Sequence, residues 1–169
     1  MNKYLSMLGY LGPNSLLALI LLTFAYQHVS NPLLYAVVIA WQIVSHFINV
    51  SVKNILRAPR PDSDKDPNFG HLKPTFANFL TIHRHYGMPS GHAQATVSEL
   101  TFIALYFKQP ALTALAAAQT LLTLWQRYET RRHSAKQLLA GSALGLAIGL
   151  GFYLLFQKII PEKDRITVL

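Results

Sequence analysis

Apolar positions along this chain fall in long blocks, not in short alternating runs. From Tyr4 to Val52, from Gln109 to Gln126 and from Gln137 to Gln157 there is no Lys, Arg, Asp or Glu. A membrane-crossing helix needs roughly 20 mostly apolar residues, and a charged group at mid-bilayer costs at least about 2.5 kcal/mol. The charge-free blocks therefore have the lengths of membrane spans. A helical bundle in water would need polar outer faces, which these segments lack. Periodicity within the blocks is weak, as expected for helices that meet lipid or other helices on most sides.

The pattern predicts an all-α, polytopic membrane helical bundle with about five transmembrane helices and a short interfacial helix, as one domain over residues 1–169. The interfacial helix covers Lys3 to Tyr10, and Gly12 and Pro13 divide it from a first span ending near Gln27. Further spans are predicted from Pro32 to Val52, Pro89 to Phe107, Pro110 to Gln126 and Ser134 to Phe156. Pro13, Pro32, Pro89 and Pro110 each mark a helix start, where a missing N–H is harmless. Gly141, Gly145 and Gly149 recur every four residues in the last span and form a smooth ridge for helix packing. With five spans, the two long connections, Lys53 to Met88 and Arg127 to His133, share one side of the membrane with the N-terminus.

Composition agrees: 51% of residues are hydrophobic and 13% charged, about half the charge of a soluble domain. The net charge of +8 is concentrated in the interspan segments. That placement suits anionic head groups or phosphate and not nucleic acid. There is no cysteine, so thiol chemistry is excluded. Eleven Lys and Arg fall on the side of the long connections and four on the other. The positive-inside rule would make that side cytoplasmic, but several of these cations are candidates for chemistry and their placement is not free, so the side is left open.

Three clusters lie on that face: Lys53 with Arg60-Pro61, then Pro89-Ser90-Gly91-His92, then Arg127 with His133 and Gln137. Singly, each has a bland reading. Lys53 and Arg60 could be snorkelling anchors, Pro89-Ser90 a helix start, and His133 an interfacial histidine. Together they describe an anion site. Three cations can clamp a group with three charged oxygens. A helix opening at Gly91 offers free N–H groups and a favourable dipole, with Ser90 as a further donor. Two histidines complete the set, one to attack phosphorus and one to protonate the leaving oxygen.

These motifs, K-x6-R-P, P-S-G-H and R-x5-H in order, resemble the type 2 phosphatidic acid phosphatase superfamily of lipid phosphatases and vanadium haloperoxidases. Five spans stand here where that family usually has six. The resemblance implies His133 as nucleophile, His92 as general acid and base, phosphate binding by Lys53, Arg60, Ser90, Gly91 and Arg127, and neither metal nor other cofactor. Two positions depart from the pattern. Gln126 replaces a serine, and Gln137 replaces the aspartate that bonds the nucleophile. Gln137 is expected to orient His133 through its amide oxygen without supplying charge. Tyr86-Gly87-Met88, Gln94 and Gln137 are similar to the dolichyl and polyprenyl diphosphate phosphatase branch. The implied function is an integral, multi-pass membrane hydrolase acting on the terminal phosphate of a polyprenyl diphosphate through a phosphohistidine, in a bacterial inner membrane or an endoplasmic-reticulum-type membrane. Its partners are the lipid phosphate or diphosphate substrate and the bilayer. A phosphatidate- or phosphatidylglycerophosphate-type phosphatase, or a weakened lipid-phosphate binding protein, are the alternatives.

Secondary candidates surround this set. Glu99 lies seven residues after His92 and shares its helix face; with Gln94 and Gln126 it is expected in support of the site. His46 stands in the same relation to Lys53. Asp62, Asp64 and Asp66 resemble the start of a calcium loop, but Pro67 stands where glycine is needed and Lys73 where the glutamate belongs. Asp62 with His83 and His85 is a weaker metal alternative. Phe76, Phe79, Leu80 and Ile82 suggest an amphipathic piece lying in the interface.

Overall fold

The computed structural model describes residues 3–27, 31–61 and 85–159. Among these are six helices and no strand: α1 (Lys3–Tyr10), α2 (Gly12–Tyr26), α3 (Pro32–Leu56), α4 (Gly91–Tyr106), α5 (Pro110–Glu129) and α6 (Ala135–Ile159). The calcium-like run, His83 and the amphipathic piece at Phe76 to Ile82 lie outside the described residues.

Local chemistry sets the boundaries. Proline occupies the first turn of α2, α3 and α5, and the Asn31 side chain caps α3 by accepting from the Leu33 N–H. Two expected edges move. The third span was expected from Pro89, but the helix begins at Gly91, because Ser90 is the extended N-cap and its hydroxyl accepts from the Ala93 N–H. Pro89 precedes the cap, in a cis peptide bond with Met88. The second span continues four residues past Val52, ending where Arg57 adopts a left-handed conformation (φ 48°). Lys53 is thus inside a helix, not beyond one.

Helix α4 is central and contacts α2, α3, α5 and α6. Its tightest neighbour is α6. Any side chain at Gly141, Gly145 or Gly149 would drive a Cβ into the carbonyls of Ser90, Gln94 or Ser98 respectively. The glycine ridge therefore brings two backbones together. At the far end of the bundle an aromatic core forms from Phe24, Trp41, Phe102, Phe107 and Phe156 with their neighbours. Trp41 stacks on Phe152 at 4.1 Å between ring centroids.

Helices α3 and α6 are each long and apolar enough to cross a membrane. The pair α1 and α2, bent by 60°, raises the number to as many as three. α4 has only 16 residues, about 24 Å at 1.5 Å per residue, and carries buried Gln94, Thr96, Ser98 and Glu99. Five spans are therefore not established by length and apolarity alone.

Candidate active site

The chain runs up and down the bundle, so the C-terminal ends of α3 and α5 meet the N-terminal ends of α2, α4 and α6 at one end of the molecule. There they enclose a cavity of about 340 Å³. Lys53 comes from the last turn of α3, Arg60 from the segment after it, Gly91 and His92 from the first turn of α4, Arg127 from the last turn of α5, and His133 from the connection to α6. All three sequence clusters thus contribute to one wall. Lys53, Arg127 and His133 are all at most 8% exposed. No aspartate or glutamate lines the cavity among the described residues.

The His133 backbone is tied down by its N–H donating to the Arg127 carbonyl at 3.2 Å. Its ring makes two contacts. Nδ1 lies 2.9 Å from the Gly87 carbonyl oxygen, and Nε2 lies 3.3 Å from Arg60 Nη1. A carbonyl only accepts and a guanidinium only donates. Both contacts are satisfied by a neutral ring with its proton on Nδ1. Nε2 keeps its lone pair, which accepts from the Arg60 guanidinium. Burial first, then the cations Arg60, Lys53 and Arg127, push the imidazole down to about 2, against a small upward pull from the Gly87 bond. His133 is therefore neutral at ordinary pH, as a nucleophile requires.

His92 packs against Tyr10, ring centroids 5.3 Å apart, and hydrogen-bonds to the Tyr10 backbone. Arg127 lies over the same tyrosine ring, 5.8 Å from its centroid. Arg127 Nε is buried with no hydrogen-bond partner among the described residues. Such an unmade bond is costly, and it leaves a donor for an anion.

Several expected roles change. Gln137 does not bond His133. The Gly87 carbonyl takes that place, while the Gln137 amide donates to the Pro59 carbonyl at 2.6 Å and accepts from the Ser134 N–H at 3.1 Å. Ser90 is fully buried behind Gly91 and caps α4, so its hydroxyl does not line the cavity. Gln126 faces α1, donating to the Ser6 hydroxyl at 3.4 Å, because α1 packs on that side of α5. Gln94 does reach the cavity wall, where its carbonyl oxygen accepts from Asn49 and its amide donates to Ser45. His46 also lines the wall. Glu99 lies behind it, accepting from the Gln42 amide at 2.6 Å.

The sequence motifs do not include Gln42, Ser45 and Asn49, which also line the cavity. A signal was present: with Lys53 they recur every three or four residues in an otherwise apolar helix, which marks one polar face. Nothing in the sequence pointed to Tyr10.

Residues 31–161 match the model of the PAP2 superfamily. The chain belongs to the PAP2 superfamily. No curated protein and no solved structure matches it significantly. Membership in the PAP2 superfamily points to a phosphatase acting on lipid phosphates, and with the two apolar helices it marks a membrane protein. The match spans the whole cavity wall except Pro13 at the start of α2.

Proposed function

We propose that this protein is a five-span membrane hydrolase that removes the terminal phosphate of a polyprenyl diphosphate, with His133 as nucleophile and without a metal ion. The observation that carries the reading is the pinned tautomer of His133, whose Nε2 lone pair adjoins Arg60 in a cavity ringed by Lys53, Arg127 and His92. In the first step the phosphate draws the Arg60 guanidinium off Nε2, and the freed lone pair attacks the terminal phosphorus. The bond to the bridging oxygen breaks, and His92 gives that oxygen a proton. In the second step water attacks the phosphohistidine, His92 accepts its proton, and phosphate leaves. The three cations and the Gly91 N–H stabilise charge on the equatorial oxygens, where most of phosphoryl-transfer catalysis lies.

Support for the diphosphate comes from Tyr86-Gly87-Met88, Gln94 and Gln137, which are similar to the polyprenyl diphosphate branch and sit at or beside this cavity. Gly87 carries the carbonyl that holds His133, and Gln94 is part of the wall. Phosphate release should be followed in detergent micelles, with chelator present, on a polyprenyl diphosphate, on phosphatidate and on phosphatidylglycerophosphate. The diphosphate should turn over fastest, chelation should have no effect, and His133→Ala should lose at least about 1,000-fold in kcat. Near wild-type turnover by that variant would remove His133 as nucleophile. A preference for phosphatidate would remove the polyprenyl assignment and leave the phosphatase.

A further inference from the structure

Gln137 joins three segments of the site. It closes a reciprocal cap at the start of α6: the Ser134 hydroxyl accepts from the Gln137 N–H at 3.3 Å, and the Gln137 side-chain oxygen accepts from the Ser134 N–H. Its backbone carbonyl accepts from the Ser90 N–H at 3.1 Å. Its Nε2 donates to the Pro59 carbonyl, directly before Arg60. The same amide fills the space beside Gly87, where any Cβ would collide with it. The Gly87 N–H in turn donates to the Ala58 carbonyl at 2.8 Å, and Tyr86 pairs with Pro59.

We propose that Gln137 is a positioning residue that holds the His133 ring and the Arg60 clamp in register through the backbone of Pro59 and Gly87, and that this position requires an amide and not a carboxylate. The proposal rests on the reading of His133 as the attacking group. A cap of the Ser-x-x-Glu/Gln kind accepts either side chain, so α6 would start equally well with glutamate. The bond to the Pro59 carbonyl would not survive. A carboxylate only accepts, and two oxygens would face each other at hydrogen-bond distance. The segment from Ala58 to Arg60 would then shift, taking with it the Gly87 carbonyl that fixes the His133 tautomer. An acidic residue here should therefore weaken this enzyme, although an acid is what the superfamily pattern places at this position.

Gln137→Glu is the discriminating substitution, because it keeps the cap and replaces the donor with a charged acceptor that regains a donor only on protonation. The titratable and charged groups that flank position 137 and its partners in the chain are His133 and Lys136, Arg60 after Pro59, and His85 and Tyr86 before Gly87; Lys53 and Arg127 line the cavity. At pH 7 kcat on polyprenyl diphosphate should fall on the order of 100-fold, the scale of a misplacement of about 1 Å. The ratio of variant to wild type should rise as the pH falls to 5, since a protonated glutamic acid can donate to Pro59 again while still accepting from Ser134. Gln137→Leu should show a loss with no acid recovery. Wild-type kcat in Gln137→Glu at pH 7, or a deficit independent of pH, overturns the proposal. Should that variant not fold, Gly87→Ala carries the test: its methyl displaces the end of one flexible side chain, and a wild-type kcat there overturns the proposal equally. His133→Asn is measured alongside. An inactive His133→Asn with a fully active Gln137→Glu removes only the role of Gln137, whereas an active His133→Asn removes the nucleophile on which it rests.

Discussion

Three cations act on the His133 ring, and among the described residues its neutral hydrogen-bond partner is the Gly87 carbonyl. Its folded proton affinity is depressed below the usual histidine range, first by burial and then by Arg60, Lys53 and Arg127. The sign of the consequence follows from linkage. The unfolded chain binds a proton near pH 6.5, whereas the folded chain resists it down to about 2. Between those values the unfolded state holds more protons, so stability rises with pH. The contribution is complete above about 6.5 and is lost as the pH falls toward the folded value. Other groups also titrate in this range, so the comparison is with His133→Gln, which lacks the ring. In thermal unfolding in detergent, the stability of wild type relative to that variant should shrink from pH 7 to pH 4. A difference constant over that interval would mean that the folded ring protonates freely and that the cations do not reach it.

At the scale of helices, α4 and α6 make the contact on which the cavity depends, because α4 opens at Gly91 and α6 opens just after His133. Gly145 lies with no room for a side chain over the Gln94 carbonyl. Gly145→Val should separate the two helices and cost about 1–3 kcal/mol or more as an overpacked contact. Gly151, on the same helix, meets nothing within 4 Å, and Gly151→Ala should be neutral or stabilise by up to about 1 kcal/mol. Equal effects of the two on the detergent melting temperature would show that the ridge is not an interface. This contact was legible beforehand, since a four-residue glycine repeat in an apolar block has few other uses. So were the helices, whose charge-free blocks and opening prolines lie within a few residues of the observed ends. The meeting of Lys53, Arg60, His92, Arg127 and His133 was legible from topology, because alternating spans carry their motif-bearing ends to one face. The hydrogen bonds were not. Whether the His133 partner is the Gln137 side chain or the Gly87 carbonyl depends on a chain path of a few ångströms between segments distant in sequence, and residue types do not encode that path. The burial of Ser90 was hidden for a related reason: a serine at a helix start serves equally well as cap or ligand, and only the fold shows that its oxygen accepts from the Ala93 N–H away from the cavity lining.

Over the whole molecule the two ends differ. The far end is closed by packed aromatic rings around Phe102 and Phe156, which meet edge to face; the near end gathers Lys53, Arg60 and Arg127 around a cavity that no acid lines among the described residues. Like charges so placed repel one another, and among the described residues no lining carboxylate offsets their desolvation. The near end should therefore be the less stable part of the fold, and an anion there should stabilise the entire chain. Orthovanadate, with the charge and size of phosphate, is a suitable probe. A ligand at 100 times its Kd adds about 2.7 kcal/mol to folding, which for a protein of this length is a rise in Tm of about 5–10 °C. Chloride at matched ionic strength separates specific binding from screening, because it weakens charge repulsion without the tetrahedral oxygens that fit the site. Arg127→Ala should itself melt no lower than wild type in the absence of anion, since one of three mutually repelling cations is gone, and should show a much smaller rise with vanadate. If instead Arg127→Ala lowered the melting point and left the vanadate response intact, the cations would serve the packing of the helix ends, and the anion would have to bind elsewhere.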